Sequence, residues 1–213
     1  MTTINKKDLQ SANNSSAQAN ERLNGVNNRT KGNSISVFNP PIWNKKTSGT
    51  WTIAEVAEYI KSDAAKRQVE ELAAIVDKEK RREHKARNFM YATYNAYVEE
   101  RADDQVIELN GFIAIDIDLD KDAPREEIKR LLLNDPLFTT VLLTNSVGYG
   151  IHWVVAKTGS QSNRTWYDAI ACYLSETYDI DPDMCASNVS RAFFLGHDTK
   201  CYINPVYTNF NFK

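Results

Sequence analysis

Cysteine and histidine are scarce, three of each in 213 residues. Cys172, Cys185 and Cys201 are too few and too scattered for a disulfide framework or a paired-cysteine metal site. His84, His152 and His197 never flank a single apolar residue as a pair, which excludes a relaxase built on two such histidines. Long hydrophobic runs are also missing: none approaches the roughly 18 residues that a membrane span needs. Met1 to Gln10 carries no apolar stretch of the signal-peptide kind. The expectation is a cytoplasmic chain with reduced thiols. Nor is there an excess of one charge. Lys and Arg number 26 against 28 Asp and Glu, for a net charge of −2. That excludes a uniformly basic nucleic-acid binder, but a sum hides local patches of either sign. Apolar residues make up 42% of the chain, slightly few for a packed domain.

The deficit has a location. Residues 1–34 are rich in Asn, Ser, Thr, Gln and Lys and nearly devoid of large apolar side chains. Such a segment cannot bury enough surface to offset its ordering entropy, so it reads as a disordered tail. Residues 35–213 then form one domain. Val37 to Trp43 contains Pro40-Pro41 and reads as an extended segment. Thr52 and Glu55 have capping-box spacing and open a helix with Ile53, Val56 and Ile60 on one face. A second helical pattern starts near Ala64, with Val69, Leu72, Ile75 and Val76 as its stripe, and runs into the charged segment 78–87.

Further on, strand character marks 89–98, 106–118 with a break at Asn110-Gly111, 139–144 and 151–156. Helices are expected after Pro124, with Ile128, Leu131, Leu132 and Leu133, and over Trp166 to Tyr178. Short strands close the chain at 192–195 and 202–207. Strands and helices are mixed and no repeat is visible, which makes the fold class α+β.

Charge is segregated along this domain. Residues 61–90 hold nine basic and six acidic side chains, among them Lys78, Lys80, Arg81, Arg82, Lys85 and Arg87. This is either a solvated helix face held by i,i+4 pairs or a surface that contacts phosphates. Residues 99–135 hold twelve acidic and five basic side chains. At their centre is Gly111-Phe112-Ile113-Ala114-Ile115-Asp116-Ile117-Asp118-Leu119-Asp120. Alternation along a strand puts the isoleucines on one face and Asp116, Asp118 and Asp120 on the other. Like charges so close repel unless water or a cation intervenes, and two carboxylates projecting together suit Mg²⁺ or Mn²⁺. A strand end whose aspartates point into water is the plain alternative.

Two more elements carry chemistry. Asn145 to Val155 is a glycine turn, with Gly148 and Gly150, feeding an apolar strand that begins with His152. Turn amides can cradle an anion, with Ser146 and His152 beside it; a tight turn with a packed histidine would look the same. Later, Ile180-Asp181 precedes a segment that holds Arg191 and ends in Gly196-His197. Arg191 and His197 could contact phosphate, and Asp181 could complete a metal site, unless these are a turn aspartate and a surface arginine.

In this order the three elements resemble the motifs of the archaeo-eukaryotic primase superfamily. The Gly-Phe-Ile-Ala-Ile-Asp-Ile-Asp strand, the Gly-Tyr-Gly-Ile-His turn and the Val-Ser-Arg…Gly-His-Asp…Tyr-Ile-Asn-Pro ending look closest to the primase-like domain of VirE-type proteins from bacterial mobile elements and phages. The likeness covers roughly residues 37–207. It implies an RRM-like palm with an antiparallel or mixed sheet and packed helices. It also implies nucleotidyl transfer with nucleoside triphosphates on a single-stranded DNA template, in a bacterial or phage-infected cell, alongside a separately encoded helicase. By the same resemblance Asp116, Asp118 and Asp181 would hold two Mg²⁺ or Mn²⁺ ions. Ser146, Gly148, Gly150, His152, Arg191 and His197 would bind the nucleotide, and the basic helix would track the template.

Two features depart from the family pattern. Val147 stands where the family has Ser before the first glycine, and Asp183 and Asp198 compete with Asp181 for the third acidic position. If the departures are not tolerated, the domain binds nucleic acid or a replication partner without catalysis. A haloacid-type phosphatase also uses a strand-borne pair of aspartates, but Leu119 follows Asp118 where that family has Thr or Val.

Overall fold

The computed structural model describes residues 34–208. Apart from Ser34, the segment expected to be a disordered tail lies outside these residues. The first strand, β1 (Ile35–Phe38), is fully buried, and β2 (Gly49–Trp51) pairs with it. Helix α1 (Ile53–Lys61) begins as the sequence predicts. The Thr52 hydroxyl accepts the Glu55 amide, and the Glu55 carboxylate accepts the Thr52 amide. Its buried face is Ile53, Val56, Ala57 and Ile60.

The helical pattern after Ala64 is two helices, not one: α2 (Asp63–Ala73) and α3 (Lys78–Asn88). Asp77 makes the break, its side chain accepting the Lys80 amide at 2.8 Å and so starting a new helix. Val76, expected on the apolar stripe, lies in this break and is 96% exposed.

Strands β3 (Tyr91–Thr93), β4 (Ala96–Val98) and β5 (Val106–Leu109) lead to β6 (Phe112–Ile117), the acidic strand. Helix α4 (Arg125–Leu133), β7 (Thr140–Asn145), β8 (Ile151–Ala156) and α5 (Asn163–Tyr178) follow, then the short β9 (Phe193–Phe194) and β10 (Tyr202–Ile203). In α4 the buried side chains are Leu132 and, unexpectedly, Lys129, while Leu131 and Leu133 are exposed.

The fold is α+β: five helices and three antiparallel sheets among the described residues. One sheet runs β2-β1-β3-β9, one runs β10-β7-β8-β6, and β4 pairs with β5. Because β8 is antiparallel to both β6 and β7, those two run in the same direction with β8 between them. The shared core joins β1 and α1 to the β6–β8 strands and α5. Trp153 is fully buried there, its indole N–H donating to Thr140 Oγ1 at 2.9 Å.

As an edge strand, β6 needs partners for its outward backbone groups. The Ala114 amide donates to Asn95 Oδ1 and the Asp116 carbonyl accepts the Asp183 amide, both at 2.8 Å.

Candidate functional site

The sheet brings Asp116 and His152 face to face, because the β6–β8 register pairs them directly. His152 is 4% exposed, with Nε2 at 3.5 Å from Asp116 Oδ1 and its ring edge-on to Phe193. Burial lowers the imidazole pKa against the opposing pull of Asp116. At neutral pH the ring is therefore neutral, and its approach to Asp116 is a positioning contact, not an ion pair. His152, expected at the phosphates, lines the cavity with Ser146 and Arg191, and its ring sits beside Asp116.

Asp118 follows the last residue of β6 and lines the same cavity as Asp116. Its carboxyl pKa is raised, first by burial and then by the negative charges of Asp116 and Asp183. The cavity holds about 490 Å³, a size suited to a small polar ligand. Ser146 and Val147 of the glycine turn line it, as does Arg191. Helix α3 supplies Arg82 and Lys85. The Lys85 ammonium lies over the Phe194 ring, 5.2 Å from its centroid. Burial lowers its pKa, against the opposing pull of Asp116 and Asp118. Arg101, which the sequence did not single out, also lines the cavity. Its buried Nε has no partner among the described residues.

The glycine turn is held from several sides. Ser146 N donates to the Gly150 carbonyl at 2.9 Å, and Arg125 Nε donates to the Tyr149 carbonyl at 2.7 Å. Gly148 has φ +143°, a conformation that favours glycine. A Cβ on Gly150 would stand 2.3 Å from the Ile117 carbonyl oxygen. Gly150→Ala is therefore expected to push the turn off β6 and lower the urea midpoint of unfolding. An unchanged midpoint would contradict this close approach.

The third element differs from its expected form. Asp181 is exposed. Asp183 is the residue joined to the site: its amide bonds to Asp116, and its Oδ2 accepts Arg191 Nη2 at 2.8 Å. The position of Asp181 after Ile180 and its distance before Arg191 favour it in the sequence, but Asp183 makes these bonds. Asp198, the other competitor, is paired with Lys129. His197 bonds through Nδ1 to the Ile60 carbonyl at 2.9 Å and does not line the cavity. Of the basic helix, Arg82 and Lys85 face the cavity. Arg87 stacks on Trp43, and Lys78 and Lys80 are exposed to solvent. Arg81 is half-buried and is not part of the cavity wall.

Comparison with protein-family models, with curated proteins and with solved structures finds no match.

The donor set decides what the site could hold. Among the described residues no group of three or more His, Cys, Asp and Glu is gathered as a metal site. Asp183 has both oxygens engaged, Oδ1 by the Cys185 amide and Oδ2 by Arg191. Asp116 and Asp118 remain as two hard oxygen donors in mutual repulsion on one wall. That fits a Mg²⁺-like cation, which is commonly held by one or two carboxylates together with substrate phosphates and water. Among the described residues no helix is long and apolar enough to cross a membrane.

Proposed function

We propose that this chain is a nucleotidyl-transfer domain of the primase-polymerase type, acting on nucleoside triphosphates at a single-stranded DNA template. One observation carries the reading. A single cavity has Asp116 and Asp118 together with the cationic side chains of Arg82, Lys85 and Arg191. Carboxylates that bind a cation and cations that bind phosphate are the two halves of a site for a metal–triphosphate complex. The chain order β6-α4-β7-β8-α5, with β8 between β6 and β7, supports an RRM-like palm. The last strand, β10, joins the β7 edge and leaves β6 at the other edge, which departs from an RRM sheet, where the fourth strand pairs with the first.

In this reading Asp116 and Asp118 would hold Mg²⁺ or Mn²⁺, an ion that would supply charge to offset the phosphates and acidify a hydroxyl. Arg82, Lys85 and Arg191 grip the phosphates, and the Ser146 hydroxyl donates to them. His152, neutral and buried, fixes the orientation of Asp116. Val147 and Phe194 are apolar parts of the cavity wall. Asp183 positions Arg191 and is not a free ligand. A helicase is a partner that this reading would imply.

A second reading has a specific observation in its favour. With Asp183 tied to Arg191, the cavity has two carboxylates among the described residues, Asp116 and Asp118, as in a module that binds nucleic acid without catalysis. Mn²⁺-dependent incorporation of labelled nucleotide on single-stranded DNA separates the two. Incorporation supports the enzyme, binding without incorporation supports the module, and neither one overturns both.

A further inference from the structure

Trp43 is 57% exposed, the most exposed aromatic ring among the large hydrophobics of the described residues. Its surroundings hold it in place. The Ile42 amide donates to the Ala86 carbonyl of α3 at 2.7 Å, and the Asn44 amide donates to the Pro41 carbonyl at 2.8 Å. The Tyr91 hydroxyl donates to the Asn44 carbonyl, and Arg101 Nη2 donates to the Ile42 carbonyl at 3.3 Å. The backbone on both sides of Trp43 is thus fixed, while the indole is left in solvent.

The Arg87 guanidinium lies 5.3 Å from the indole centroid and is steadied by Glu83 at 2.9 Å. Trp43 has basic residues on its α3 side and next in the chain, although exposed Glu99 and Glu100 lie against the Lys45-Lys46 segment through the Lys46–Glu100 bridge. Lys45 and Lys46 follow Trp43 and are exposed, and α3 beside it carries six basic residues against two acidic. The preceding residue, Ile42, lines the cavity, which puts Trp43 at the rim and not inside.

An exposed ring on a rigid turn costs little entropy to use, and one face of its surroundings is basic. Aromatic side chains interleaved with cations are how proteins bind single strands without reading sequence: bases stack and phosphates pair with Lys and Arg. We propose that Trp43 is a stacking platform for an unpaired base of a single strand, with Arg87 and the Lys45-Lys46 pair holding the flanking phosphates. The inference rests on the nucleotidyl-transfer reading, and it adds a site outside the cavity that fixes where the strand enters.

The experiment is fluorescence titration of the full chain with a single-stranded oligonucleotide, an abasic strand of equal length, a duplex and a mononucleotide. The single strand is expected to quench the indole emission, and the other three are expected to leave it nearly unchanged. Trp43→Ala is expected to weaken single-strand binding about tenfold, in the range of a lost stacked base. Trp43→Phe, which keeps a ring, is expected to retain most of it, and both variants should melt like the parent because the side chain is exposed. Single-strand affinity that is unaltered in Trp43→Ala overturns the platform, whatever the incorporation assay shows. Quenching by the mononucleotide alone overturns it too, since the ring would then serve the cavity. Full stacking behaviour in a chain that incorporates no nucleotide leaves the platform standing and removes the enzyme.

Discussion

Asp116→Asn is expected to lower nucleotide incorporation by roughly a thousandfold or more, since loss of a cation-holding carboxylate removes several kcal/mol of transition-state stabilisation. The substitution preserves shape, and the backbone carbonyl of residue 116 keeps its bond to the Asp183 amide. The fold should therefore survive. A second readout separates a lost ligand from a damaged fold. Burial, then Asp116, then Asp183 raise the Asp118 pKa. A carboxyl raised in the folded state holds its proton more tightly there than in the unfolded chain. Stability is thus lost as pH rises from the unfolded value toward the raised one, and the loss is complete above it. Neutralising Asp116 removes part of that loss. The metal-free variant is expected to be at least as stable as the parent at pH 7, with the advantage fading as pH falls toward the ordinary Asp value of 3.8. Urea unfolding at pH 4 and pH 7 measures it. An inactive variant that is also less stable at pH 7 would mean that Asp116 is structural.

Lys129→Ala is expected to cost about 3–5 kcal/mol of stability, the range for breaking a buried ion pair from one side. Lys129 Nζ and Asp198 Oδ2 are 2.6 Å apart, with side chains only 8% and 4% exposed. Asp198 also accepts the Asn145 amide at 3.0 Å and the Lys200 amide at 2.8 Å. Removing the ammonium would leave a carboxylate in the interior with amide donors alone. Because Asn145 ends β7 just before Ser146, the damage would reach the glycine turn. The double variant Lys129→Met with Asp198→Asn, which removes both charges, is expected to recover most of the loss. Chemical unfolding of the two single variants and the double measures the coupling. A loss below about 1 kcal/mol in Lys129→Ala would show the pair to be solvated.

The elements legible in the sequence are those set by local rules. The Thr52–Glu55 box starts α1, and alternation around Asp116 marks β6. The run Ile151 to Ala156 is a strand over the same residues as expected. What was misplaced depends on partners far along the chain. Lys129, between Ile128 and Arg130, carries no local sign of burial; its partner Asp198 lies 69 residues later. His152 lines the cavity as expected, but its pairing with Asp116 is set by the β6–β8 register and not by local sequence. Asp183 displaces Asp181 because its amide caps the β6 edge, a bond that spacing alone does not disclose. Lys85 is one of six similar cations on α3, and only the packing of that helix against Phe194 distinguishes it. The broken helix at Asp77 is a different kind of miss. The capping aspartate was there to see, but charge continuity masked it.

The bond between the Asp183 amide and the Asp116 carbonyl also bears on how the chain comes off the ribosome. Until residue 183 has emerged, β6 is a Phe-Ile-Ala-Ile run with an outward edge whose Asp116 carbonyl is uncapped, the kind of surface on which nascent chains pair with one another. Asp116 and Asp118 put negative charge at one end of that run, the placement by which gatekeeper residues discourage pairing with a second copy. The same two side chains that give the folded protein its candidate chemistry would thus guard its synthesis.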